Sequence, residues 1–168
     1  MFGEDTYNKI VEVYTHFLKD RGIREGTIVK YLNTMFLLDS LTLNSDRHLG
    51  NFGFISSKSG EILRIAPIFD NGNSLFCNKP FRDMEYEPSL NRYIADRPLS
   101  GDFDNLFNYI DIRNSYINIE KLGTLVKYVE HLCEKLKSSG ILPEDRVQFI
   151  LGALRYRSDI FIRQSAQY

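Results

Sequence analysis

The stretch Asn44-Ser45-Asp46-Arg47-His48-Leu49-Gly50-Asn51, followed by Ile68-Phe69-Asp70-Asn71-Gly72, decides how this chain is read. Asp46, four intervening residues, Asn51 and a later Asp70 close to a glycine form the polar skeleton of a phosphoryl-transfer site. A carboxylate beside an acceptor hydroxyl lowers the barrier by positioning that hydroxyl and taking its proton late, and it needs no strongly raised pKa to do so. Asp46 is the candidate for this role. Magnesium takes oxygen ligands in near-octahedral geometry and keeps several waters. Asn51 offers a neutral amide oxygen and Asp70 a charged carboxylate, a pair suited to a metal that also binds phosphate oxygens. On its own the spacing is equally that of a polar turn whose Asp and Asn satisfy backbone N–H groups. Its surroundings raise it above that.

Upstream, residues 27–43 place Ile28, Tyr31, Leu32, Met35, Phe36 and Leu38 at helical spacing and deliver the chain straight into the Asp46 loop. Ile10, Val11, Tyr14, Phe17 and Leu18 predict an earlier amphipathic helix over 5–20, with Gly22 as its C-cap. Downstream, Phe52-Gly53-Phe54-Ile55 and Glu61-Ile62-Leu63-Arg64-Ile65 are strand candidates around Ser57-Lys58-Ser59-Gly60, a hairpin turn. This pattern puts Asn51 at the start of one strand and Asp70 just past the end of the other. A hairpin brings those ends together, as a shared metal site requires.

The neighbouring residues carry less. His48 either braces the loop by hydrogen bonding or binds a metal; bracing is the plainer role. His16 and His131 are the other histidines and sit in helical patterns, so a zinc or di-iron site lacks ligands. Arg47 pairs with a loop carboxylate or touches a phosphate, and pairing is favoured. Asn71 and Gly72 form a turn. Asn73 and Ser74 either contact substrate or serve in turns and caps. No G-x-S-x-G occurs, and neither Cys77 nor Cys133 has a nearby histidine to activate it, which argues against a hydrolase nucleophile.

Residues 77–103, with Pro80, Pro88 and Pro98, read as a long loop with a short helix near 89–94. The remainder, 104–165, is helical. Asp104 caps a short helix holding Leu106, Phe107 and Ile110. Ile119, Leu122, Leu125, Val126, Val129, Leu132, Cys133 and Leu136 form one stripe over 118–137, closed by Gly140. Pro143 opens the last helix at its first turn, and Val147, Ile150, Leu151, Leu154 and Phe161 form its stripe. Arg155, Arg157 and Arg163 suit the helix dipole near its end.

The fold class expected is mainly α with a small β-hairpin, in one domain over 1–168. At 168 residues such a chain buries roughly 68–70% of its unfolded surface. A net charge of −1 offers no basic field for nucleic acid or an anionic membrane. Acidic Glu4, Asp5 and Glu12 do not fit a signal peptide, no apolar run reaches the length of a membrane span, and the cysteines lack metal spacing. A cytoplasmic protein with free thiols is expected.

The loop 44–51, then Phe52-Gly53-Phe54, then Ala66-Pro67-Ile68-Phe69-Asp70 resembles the HipA-like serine/threonine kinases. Their pattern is His or Asn, any residue, Asp, any residue, His, two residues, Asn, an aromatic and a small residue, then a hairpin ending in an Ala-Pro-aliphatic-aromatic-Asp run. The match is close over 44–75. It implies that Asp46 is the catalytic aspartate, that Asn51 and Asp70 are the magnesium ligands of a catalytic loop 44–51 and a metal-binding loop 66–74, and that His48 is the loop histidine. It further implies a helical kinase C-lobe, Mg²⁺ and ATP as cofactors, a protein substrate, and a bacterial toxin–antitoxin setting. The phosphatidylinositol kinases share a D-R-H-x-x-N loop and a later D-x-G, but Ala66-Pro67-Ile68-Phe69-Asp70 fits the HipA type better. One departure is large. No G-x-G-x-x-G occurs, and Lys9, Lys19 and Lys30, the lysines before Asp46, lie in helical contexts. The expectation is a C-lobe whose N-lobe, with its phosphate-covering loop and strand lysine, comes from elsewhere. A lobe that binds a partner or antitoxin without catalysis is the alternative, and a lipid-kinase lobe the second.

Overall fold

In a computed structural model, which describes residues 4–77, 85–93 and 103–167, the chain is mostly helical with a single two-stranded sheet among the described residues. Helix α1 spans Glu4–Lys19. Its first turn carries Glu4 and Asp5 and its last turn His16 and Lys19, charges that complement the helix dipole. It ends as expected at Gly22, whose φ of 79° lets the Ile23 N–H turn back to the Leu18 carbonyl at 3.1 Å.

Helix α2, Glu25–Thr42, is the central post. Met35, Phe36 and Leu37 are all buried, so apolar surface covers most of its circumference, as in a helix packed on several sides. It contacts α1 and α4 (Glu144–Ser165) and the 3₁₀ turn Ile112–Asn114. Buried Asn33 ties three of these together: it accepts from the Tyr7 hydroxyl at 2.5 Å and donates to the Asn114 carbonyl at 2.9 Å.

The hairpin forms where expected but is shorter: β1 is Phe54–Ser56 and β2 Ile62–Ile65, antiparallel, with Phe54 opposite Ile65 and an irregularity at Ile55/Ser56. Gly60, at φ 86°, makes its turn. The hairpin leans on α1, with Tyr14 against Phe52 and Phe17 against Phe54 at ring separations of 4.9 and 5.5 Å.

Helix α3, Leu122–Ser138, packs on α4 through Cys133, Val147 and Leu151. Its stripe is only partly buried, for Leu125 and Leu132 stay exposed, as does Tyr128. Three C-terminal expectations need correction. Pro143 is the N-cap of α4, with φ −70° and ψ 155°, and not its first helical residue. Asp104 stands at the N-cap of the 3₁₀ turn Asn105–Asn108 without a side-chain cap bond, and its carboxylate instead pairs with Arg157. Arg157 does not serve the dipole either: it is fully buried and donates to the Ser40 carbonyl at 2.9 Å and to the Ser40 hydroxyl. A buried guanidinium needs such partners, and the end of α2 supplies them. The short helix expected near 89–94 is a 3₁₀ turn, Pro88–Tyr93; Ile94 and much of the proposed loop 77–103 lie outside the described residues.

Candidate active site

The site begins where α2 stops. Leu43 takes a left-handed conformation, φ 53° and ψ 46°, and the N–H groups of Leu43 and Asn44 both turn back onto the Asp39 carbonyl. The chain therefore leaves the helix sharply. The Asn44 side chain, buried, donates to Asp39 Oδ1 at 2.9 Å and accepts from the Asp46 N–H at 3.2 Å. Asp46 is half-buried. His48 braces the loop: its Nδ1 accepts from the Gly50 N–H at 3.1 Å and caps the 3₁₀ turn Leu49–Asn51. Asn51 thus lies in this turn and not at a strand start. Its side chain is buried, and Nδ2 donates to the Asp46 carbonyl at 3.0 Å. With its nitrogen committed to the loop, the amide's oxygen is its ligand-type atom.

Arg47 holds the arrangement together. It is fully buried and engages Asp39 with two parallel bonds, Nε to Oδ2 at 2.8 Å and Nη2 to Oδ1 at 2.9 Å. Its remaining donors reach both halves of the site: Nη1 to the carbonyls of Asn51 (3.3 Å) and Phe69 (2.7 Å), Nη2 to Asn71 Oδ1 (2.7 Å). Pairing was expected, but with a loop carboxylate; the partner is on α2. Burial pushes the Asp39 carboxyl up from its ordinary range, and the hydrogen bonds from Arg47 and Asn44 act against that. Asp39 escaped the sequence reading, and Asn44, though the first residue of the loop 44–51, was given no role of its own. The available signal was a single carboxylate inside the otherwise apolar run Met35-Phe36-Leu37-Leu38-Asp39, since such a charge is buried only when paired.

The second loop, 66–74, is zipped to the first. Ser45 donates to the Asn73 carbonyl through its N–H (3.0 Å) and hydroxyl (3.3 Å), and the Leu75 N–H reaches the Thr42 carbonyl at 2.7 Å. Asn73 Nδ2 donates to Asp46 Oδ2 at 2.8 Å, so Asn73 grips the carboxylate itself. Ser74 bonds Thr42 Oγ1 at 3.3 Å and faces α2. Asp70 is exposed, with φ 58°, a left-handed conformation unusual for a non-glycine residue. Helix α4 anchors the far end: Arg146 donates to the Leu75 carbonyl at 2.6 Å, and Phe76 packs edge-on to Phe149 at 5.4 Å. Gly53 belongs here as well, because a Cβ on it would meet the Phe69 ring at 3.1 Å and the Ala66 Cβ at 3.4 Å.

The structure therefore brings the Asn51 carbonyl and both neighbours of Asp70, the Phe69 carbonyl and the Asn71 side chain, against one guanidinium, with Asp46 tied to both loops. No group of three or more His, Cys, Asp or Glu that could cage a metal occurs among the described residues. One amide and one carboxylate oxygen fit instead a hard cation completed by phosphate and water, as for magnesium on a nucleotide. No helix among the described residues is long and apolar enough to cross a membrane.

No family model matches the chain, and no solved structure matches it. Among curated proteins it is similar to the serine/threonine-protein kinase CtkA of Helicobacter pylori (strain J99 / ATCC 700824), with 34% identity over 103 residues, 55% of this chain and 31% of the relative. The chain thus spans about a third of the length of that protein, and over the shared stretch it is related to a kinase.

Proposed function

We propose that this chain is the catalytic lobe of a HipA-like serine/threonine protein kinase, which transfers a phosphoryl group from Mg-ATP to a protein hydroxyl in a bacterial toxin–antitoxin setting. The observation that carries this reading is the shared guanidinium: Arg47 Nη1 donates to the carbonyl of Asn51 and to that of Phe69, the residue before Asp70, which holds both loops on one group. The similarity to a kinase supports it. Magnesium on the nucleotide would neutralise phosphate charge. Asn51 and Asp70 would hold it through oxygen. Asp46 would orient the acceptor hydroxyl and receive its proton as the new O–P bond forms and the bond to the departing ADP oxygen breaks. Asn73, gripping Oδ2, fixes the rotation of the Asp46 carboxylate. The phosphate-covering loop and lysine would come from an N-lobe outside these residues.

The test is transfer of radiolabel from γ-labelled ATP with an N-lobe from the same genome co-expressed. Labelled serine or threonine, lost in Asp46→Asn, is expected; transfer that persists in Asp46→Asn contradicts the assignment. A second reading, a lobe that docks a partner without catalysis, is favoured by the apolar side chains Leu125, Tyr128 and Leu132 left exposed along α3.

A further inference from the structure

We infer that Arg47, locked by Asp39 and read out through Asn71, is the positioning residue that sets the separation of the two metal ligands. This rests on the kinase reading above. Asp70 lies between Phe69 and Asn71, and Arg47 bonds both of them, one by its carbonyl at 2.7 Å and the other by its side-chain oxygen at 2.7 Å. The same guanidinium takes the carbonyl of Asn51. A single planar group therefore touches the other ligand residue and both neighbours of Asp70. Its plane is in turn fixed, because two nitrogens lie against the two Asp39 oxygens and Asn44 Nδ2 holds Oδ1 of the same carboxylate.

Such a fork cannot be replaced by an ammonium, which has the charge but neither the plane nor the spread of donors. Asp70 itself holds a left-handed backbone conformation between these two anchored neighbours. Asp39, Arg47 and Asn71 thus act toward the cation from behind its ligands, without touching it. Outer partners of this sort change metal affinity by roughly 10–100-fold when removed.

Asn71 makes the idea testable, since it is exposed and lies outside the core. Preformed Mn-ATP is titrated into the full 168-residue chain and followed by water-proton relaxation enhancement, which rises only for Mn²⁺ held on the protein, with thermal melting recorded for each variant. Asn71→Ala should weaken Mn²⁺ binding by roughly tenfold or more at an unchanged melting temperature, and Arg47→Lys should do at least as much. Asn71→Asp, which keeps an acceptor for Nη2, should retain the affinity. Where Arg47→Lys fails to fold, the Asn71 pair decides. Wild-type affinity in folded Asn71→Ala, or affinity lost in Asn71→Asp, overturns the positioning role while leaving the kinase reading standing. Absence of nucleotide-dependent Mn²⁺ binding in the unaltered chain overturns the kinase reading and this inference with it.

Discussion

Asp70 holds a left-handed backbone that costs an ordinary residue about 1–2 kcal/mol and that Asn and Asp tolerate best. Asp70→Asn should therefore leave stability within about 0.5 kcal/mol of the parent by urea unfolding, because the backbone is undisturbed and the side chain exposed. A large loss would mean that the carboxylate serves the fold. Asp46→Asn keeps an oxygen for Asn73 but removes the proposed proton acceptor, so it should abolish transfer in an assembled kinase while ATP affinity is nearly unchanged. Comparing kcat with nucleotide affinity checks this. Arg47→Met leaves the Asp39 carboxylate buried and unpaired, which should cost about 3–5 kcal/mol. The double variant Asp39→Asn with Arg47→Met should be less destabilised than Arg47→Met alone, since removing both charges avoids the stranded one. Additive losses in that cycle would show the two residues to be uncoupled.

At the scale of elements, periodicity made α1, α2 and α3 legible to within a few residues, because each repeats apolar side chains at helical spacing. Gly22, Gly60 and Gly140 marked turns correctly, each with positive φ. What escaped was non-local. Nothing near Asp104 or Arg157 in sequence shows that they pair, and nothing near Ser40 shows that it faces α4. Asp39 and Arg47 are close in sequence, but reading them as a pair requires knowing that the chain doubles back through Leu43. The two polar loops were legible as neighbours through the hairpin between them; the latch behind them was visible only once the loops were folded. The two thiols offer a check on the C-terminal packing. Burial of Cys133 between its own helix α3 and α4, with Glu134 nearby, raises its thiol, whereas Cys77 is exposed. An aromatic disulfide reagent at neutral pH should modify one thiol promptly and the second only on unfolding. Two equally fast thiols would mean that α3 does not stay docked.

For the whole molecule, one core joins α1, α2, α4 and the 3₁₀ turns, so the chain should unfold cooperatively by itself. It should nevertheless transfer phosphate barely or not at all, because positioning supplies most of this catalysis and the groups that would cover the phosphates are missing from these residues. Autophosphorylation by the isolated chain would refute the need for an N-lobe. The central claim is that Asn51 and Asp70 form a magnesium-dependent nucleotide site. Titration calorimetry of the 168-residue chain with ATP, with and without Mg²⁺, tests it most directly. Weak binding that requires Mg²⁺, persists in Asp46→Asn and disappears in Asp70→Asn is the expected result; binding that survives unchanged in Asp70→Asn with chelator present contradicts it.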